Sequence, residues 1–364
     1  MTVPSRIPVG APSTPVSKAA NEQESSAFDG AYLSPARMTA VLGVMAAILA
    51  LTMIVAVAYG TVRIDLHRAL TQPASSDHAI LFSARLPRVL MGAVVGAVLA
   101  AVGAALQALV RNPLAEGGIL GISGGGAFGA ILALTLSYGL GAGVATVPLC
   151  AFAMALLSTL AVYRLAQVNG RLEPFSLLLI GVIFNAFWGA LILLVNALVD
   201  LYHSHSIIAW LMGSLEAPTY YEVALVGLLG LGGFAALFFR ARDMNLMTLG
   251  DDAAADLGVN IEALRRTIFI TTSLMIGAAV SVSGIISFVG LIVPHILRLA
   301  LGADHRLLLP ASVLGGGALL VSADLIARTV IAPAELPVGV ITALCGGPFF
   351  IYLLRREERR SLVI

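Results

Sequence analysis

The chain has 364 residues, 59% of them hydrophobic and only 11% charged, too few charges to cover a soluble protein of this length, for which about 25% is usual. A net charge of +1 argues against a nucleic-acid or polyanionic partner. Lys18 is the sole lysine, and Ser17 stands where a P-loop needs its second glycine, so any ATP must be bound by another chain.

Residues 1–37, rich in Pro, Ser, Ala and Glu, read as a disordered tail. Apolar spans follow at 38–59, 87–110, 118–138, 144–165, 175–198, 220–240, 267–290, 293–302, 307–330 and 338–354. This is the pattern of an all-α membrane protein with about ten transmembrane helices, the eighth short for a full crossing. The transmembrane domain is thus 38–354, followed by a tail at 355–364. With the N-terminus inside, fifteen Lys and Arg fall on the inner side and five on the outer, with Arg298 inside the eighth span. That bias predicts both termini in the cytoplasm.

Glycines punctuate the second and third spans, among them Gly92, Gly96, Gly103, Gly124, Gly125 and Gly126. Small residues let helix backbones approach closely where lipid supplies no hydrophobic drive. The polar stretch 241–266 is long for a connector, and LGDDAAADLGV within it reads as one or two short helices with Asp251 and Asp252 near the start. Cys150 and Cys345 lie in apolar spans without metal-ligand spacing and read as buried small hydrophobes. No Ser-His-Asp or paired-carboxylate arrangement stands out, so a transport subunit is expected rather than an enzyme.

The runs RLPRVLMGAVVGAVLAAVGAALQALVRNPLA at 85–115, WLMGSL at 210–215, SGIISFVGLIVPHILRLALGADHRLLLP at 283–310, SADLIAR at 322–328 and AELPVGVITALCGGPFFIYLLRR at 334–356 resemble the FecCD-type permeases. These are membrane subunits of ATP-binding-cassette importers for ferric siderophores, haem and vitamin B12. The resemblance covers about 80–360; Glu116-Gly117 and Ile285 depart from the family's usual residues. It implies ten helices, with spans two to five and seven to ten as inverted-topology halves around a pathway. It also implies a second permease chain, identical or paralogous, two ATPase subunits and an extracytoplasmic substrate-binding protein. The location it implies is a bacterial cytoplasmic membrane, and this chain would bind no cofactor itself.

By the same resemblance Arg85, Arg88 and Arg328 would receive acidic residues of the binding protein, although Asp324, four residues before Arg328, could hold it within the helix. Asn112 and Leu114, in the turn after span two, and Glu173 and Pro174, before span five, would form a cytoplasmic gate. Gly250, Asp251, Asp252, Ala253, Leu257 and Gly258 would form the element that couples to the ATPase. His295 and Arg298 of PHILR read as ordering a turn at a helix that Pro294 begins. Tyr202, His203 and His205 read as an ordinary outer loop; were they iron ligands, the cargo would be haem. The cargo expected is a ferric siderophore or haem, with vitamin B12 as the alternative. An autonomous secondary transporter is the remaining reading, disfavoured because the middles of spans two to five offer only neutral polar groups such as Gln107, Asn185 and Asn196.

Overall fold

The computed structural model describes residues 34–140 and 146–361; most of the expected tail at 1–37 lies outside them. The described chain forms one compact unit from Leu42 onward. Its helices are α1 (Pro35–Ala58), α2 (Leu66–Thr71), α3 (Ser76–Val110), α4 (Ile122–Leu140), α5 (Thr146–Leu165), α6 (Pro174–Leu198), α7 (Leu201–Leu211), α8 (Tyr220–Phe239), α9 (Ala241–Met247), α10 (Asp251–Asp256), α11 (Ile261–Ser283), α12 (Val289–Leu301), α13 (His305–Thr329) and α14 (Val338–Ser361). One short hairpin, β1 (Gln167–Val168) and β2 (Arg171–Leu172), joins α5 to α6.

Seven of these helices are long and apolar enough to cross a bilayer: α1, α3, α5, α6, α8, α11 and α13. Shorter apolar stretches in α4, α12 and α14 stand where the third, eighth and tenth spans are expected. Leucines such as Leu51, Leu193 and Leu228 point outward, as they do when lipid is the solvent.

The most buried helix is α3. Its positions from Ala100 to Leu109 are all interior, and it packs against α8, α11, α12 and α13. Glycine makes that possible at two crossings. A Cβ on Gly96 would run into the Gly316 carbonyl, and one on Gly103 into the Gly290 carbonyl, so these backbones touch directly.

The sequence expectations need four corrections. The second span is longer than 87–110: α3 begins already at Ser76 and passes through a π-helical stretch, Ile80–Arg85. The seventh span, expected at 267–290, is the helix Ile261–Ser283, because Gly284 and Phe288 both take positive φ and break the chain. Pro294 does not begin the next helix but lies inside it, and α12 starts at Val289. Cys345 is exposed rather than buried, on an outward face of α14 with Leu344 and Tyr352; Cys150 is half-buried.

Candidate functional site

The turn after α3 is set by three successive residues. Arg111 takes φ 52° as the C-cap, a left-handed conformation that stops the helix. Asn112 Oδ1 accepts the Leu114 N–H at 2.9 Å, and Pro113 between them has no N–H to continue the ladder. The neighbouring gate expectation, Glu173 and Pro174, starts α6. Glu173 caps it by accepting the Ser176 N–H at 2.5 Å and the Phe175 N–H at 3.1 Å, with Pro174 in the first turn. The Ser176 N–H, foremost, holds the Glu173 carboxyl below the usual range. Both turns line one cavity of about 520 Å³, together with Asp251 and Arg265.

α10 is a single short helix between Gly250, at φ 120°, and Gly258, at φ 86°. Ala254 is its buried anchor, whereas Asp252, Ala253, Leu257 and Gly258 are exposed, with Leu249 beside them. Half-buried Asp251 is the exception. One carboxylate oxygen pairs with Arg111 in the turn after α3, and the other accepts from Arg265 of α11 at 2.5 Å. Arg265 also donates to the Leu172 carbonyl at 3.2 Å, and Glu262 accepts the Leu172 N–H at 3.1 Å. Asp251, Arg265 and Glu262 therefore tie α10, the turn after α3 and the β-hairpin into one polar node. Arg265 and Glu262 were not singled out from sequence; the available signal was Asn169-Gly170, a dipeptide that marks a tight hairpin.

A second cavity, of about 580 Å³, lies between α4, α6 and the 284–288 break. Its lining mixes small and polar groups, Glu116, Ser123, Asn185 and Ser287 among them, with apolar side chains such as Ile192, Leu193 and Leu211. Asn185 donates to the Gly118 carbonyl at 2.7 Å, and Glu116 accepts the Phe288 N–H at 2.9 Å. Phe288 is held there at φ 69°, an uncommon conformation for a bulky residue, so Glu116 fixes the break that opens α12.

At the opposite end of α3 the three expected docking arginines come together, but largely inside. Arg85 is 5% exposed and donates to the carbonyls of Val57 and Ala58 at 3.1 Å, and to that of Val62. Arg328 is 3% exposed, paired with Asp324 at 3.0 Å and bonded to the Ala56 carbonyl. Arg88 binds Asp324 at 2.9 Å and Glu335 at 2.6 Å, and Thr61 donates to Glu335 at 2.8 Å. Burial pushes the Glu335 carboxyl up, but the hydrogen bonds from Arg88 and Thr61 outweigh it and hold it below the usual range. Arg63 and Arg68 are the exposed cations nearby in sequence.

The outer segment expected as a plain loop contains α7, capped by Asp200, which also bonds His203 at 2.6 Å. His203 is half-buried and His205 exposed; the Tyr202 side chain lies outside the described residues. No group of three or more His, Cys, Asp and Glu side chains among the described residues could hold a metal ion.

Comparison with known proteins places this geometry. Residues 48–356 match the FecCD transport family. The chain is 44% identical over 285 residues to the cobalamin import system permease protein of Halobacterium salinarum, covering 78% of this chain and 75% of that one. It is 40% identical to the hemin transport system permease protein of Yersinia pestis, covering 78% and 85%. It is 38% identical to the iron(3+)-hydroxamate import system permease protein of Bacillus subtilis, covering 79% and 74%. A solved structure described as an inward-facing conformation of a metal-chelate type ABC transporter superposes with a TM-score of 0.77 at 29% identity, over 87% of this chain and 99% of that one.

Proposed function

The chain belongs to the FecCD transport family, a multi-pass membrane permease of the ABC-importer type, and we propose that it carries an intact iron complex, a ferric siderophore or haem, into the cytoplasm. Family membership implies ATPase and substrate-binding partners and a second permease chain. In this reading ATP is hydrolysed on two separate subunits, both termini face the cytoplasm of a bacterial cell, and the binding protein docks on the outside.

One observation carries the mechanism: Asp251 pairs with both Arg111 and Arg265, so the exposed α10 and the gate turn share a node. Closure of the ATPase pair presses on Leu249, Ala253 and Leu257. Asp251 hands that displacement to Arg111, and Arg265 hands it through Leu172 to the turn at Glu173 and Pro174. Asn112 and Leu114 then move with Arg111. The cavity between α4, α6 and the 284–288 break, with its mixture of apolar, glycine, hydroxyl and amide groups, would give a bulky chelate room and weak contacts rather than tight ligation. At the outer end an acid of the binding protein would exchange with Glu335 for Arg88, while buried Arg85 and Arg328 hold the frame behind it.

A corrinoid cargo is the second reading, favoured by the 44% identity to a cobalamin permease. Purification with partner subunits, followed by ATPase stimulation with the cognate binding protein and each of ferric siderophore, haem and cobalamin, separates them. Stimulation by an iron complex alone supports the proposal, and stimulation by cobalamin alone overturns it. Uptake into liposomes by this chain without an ATPase subunit would overturn the importer reading altogether.

A further inference from the structure

Beside the gate turn, a third cavity of about 440 Å³ is walled by Gln107 and Arg111 of α3, His295, Arg298 and Leu299 of α12, and His305 of α13. Three of these side chains leave a polar atom without a partner. The half-buried guanidinium of Arg298 has no hydrogen bond or ion pair among the described residues. Gln107, 3% exposed, gives its Nε2 to the Gly290 carbonyl at 3.4 Å, but its Oε1 is buried and unbonded. His305, 2% exposed, leaves Nε2 buried and unbonded.

The polarity of each group is fixed by its neighbours. Asn245 donates its Nδ2 to Asp304 at 2.8 Å, so its Oδ1 faces His305 Nδ1, also at 2.8 Å. That oxygen only accepts, so Nδ1 carries the proton and Nε2 of the neutral ring presents a lone pair. Arg111, the other guanidinium in the wall, is already paired with Asp251. The cavity therefore offers one uncompensated cation and two unfilled acceptors. A cation and bare acceptors held together out of water are costly unless a ligand satisfies them.

We propose that this cavity binds the headgroup of an anionic glycerophospholipid, with the phosphodiester on Arg298 and headgroup hydroxyls donating to Gln107 Oε1 and His305 Nε2. The mouth supports a lipid source. Leu299 lines the cavity and is exposed, and Ile296, one turn earlier on α12, is exposed beside it, an apolar face for the acyl chains. Basic pockets between transmembrane helices on the cytoplasmic side are established headgroup sites in membrane proteins generally. On the orientation proposed above, which is the only part of that reading this proposal uses, the lipid comes from the inner leaflet.

The test uses the full-length permease, purified with its partner subunits and delipidated, titrated by native mass spectrometry. The probes are phosphatidylglycerol, phosphatidylcholine and glycerol 3-phosphate. Phosphatidylglycerol is expected to bind in preference to phosphatidylcholine, and glycerol 3-phosphate is expected not to bind at the same concentration. Arg298→Gln should weaken phosphatidylglycerol about tenfold, the size of one charge-assisted hydrogen bond. Gln107→Met, which keeps the volume and removes the acceptor, should weaken it several-fold and serves if the first variant does not fold. Equal binding of both lipids, or unchanged binding in the variants, overturns the proposal. So does equal competition by glycerol 3-phosphate, which would make the site one for soluble anions. Binding is read without transport, so failure here leaves the importer reading standing.

Discussion

Replacing Asp251 by Asn keeps the size of the side chain and removes the charge that joins α10 to Arg111 and Arg265. Both pairs are partly exposed, with Asp251 and Arg111 each at 39% and Arg265 at 12%. Exposed pairs contribute about 0.2–1 kcal/mol each, so the two together hold the node by about 0.4–2 kcal/mol. If α10 drives the gate through this node, the unlinked arrangement becomes about 2–30-fold more populated. The readout is cargo transported per ATP hydrolysed in proteoliposomes containing the permease, its ATPase and its binding protein. Asp251→Asn should leave hydrolysis near wild type and lower that ratio several-fold. Combining it with Arg111→Gln should add little, because both remove the same pair. A wild-type ratio in Asp251→Asn, or full additivity with Arg111→Gln, would refute the node as the link.

Reversing charge goes further: Asp251→Arg with Asp252→Arg sets like charges against Arg111 and Arg265, and should abolish transport while hydrolysis continues. Asp304 should make stability depend on acid. Burial alone would raise its carboxyl, but Arg306 and Asn245 together lower it to about 2. Its stabilisation is thus complete above the unfolded value of about 3.9 and is lost as pH falls toward 2. Asp304→Asn retains an N-cap oxygen for Arg306 N–H, and its melting temperature should lose the part of the acid dependence that Asp304 contributes. In the bundle, Gly103→Ala should cost about 1–3 kcal/mol or more by forcing α3 away from Gly290, read as a lowered melting temperature. Gly189→Ala, where a Cβ meets nothing within 4 Å, is the matched control.

Much of the candidate site was legible because local chemistry specifies it. Asn112-Pro113 declares a turn, Glu173-Pro174 a helix start, and Gly250 and Gly258 the limits of a short helix. What was not legible is who faces whom. Arg265 and Glu262 sit in an ordinary amphipathic helix start, and nothing local says that they clamp Leu172, some 90 residues away. The outer arginines show the same limit from the other side. As a motif they read as exposed docking groups; the four-residue spacing did reveal the Asp324–Arg328 pair, but not that Arg85 and Arg328 are also consumed by carbonyls of α1.

The sequence by itself determined that this is a helical membrane protein, where most of its spans lie to within several residues, and which family's motifs it carries. Hydropathy and helix-ending residues act over one or two turns, so they can be read from a single strand of text. Only the tertiary structure decided that the seventh span breaks at Gly284, that Glu116 holds Phe288 in a strained turn, and that Asp251 joins α10 to the turn after α3. Each of these depends on a polar group finding its partner across the bundle. In a medium without water the partner must be protein or bound ligand, and a partner is chosen by packing rather than by sequence neighbourhood.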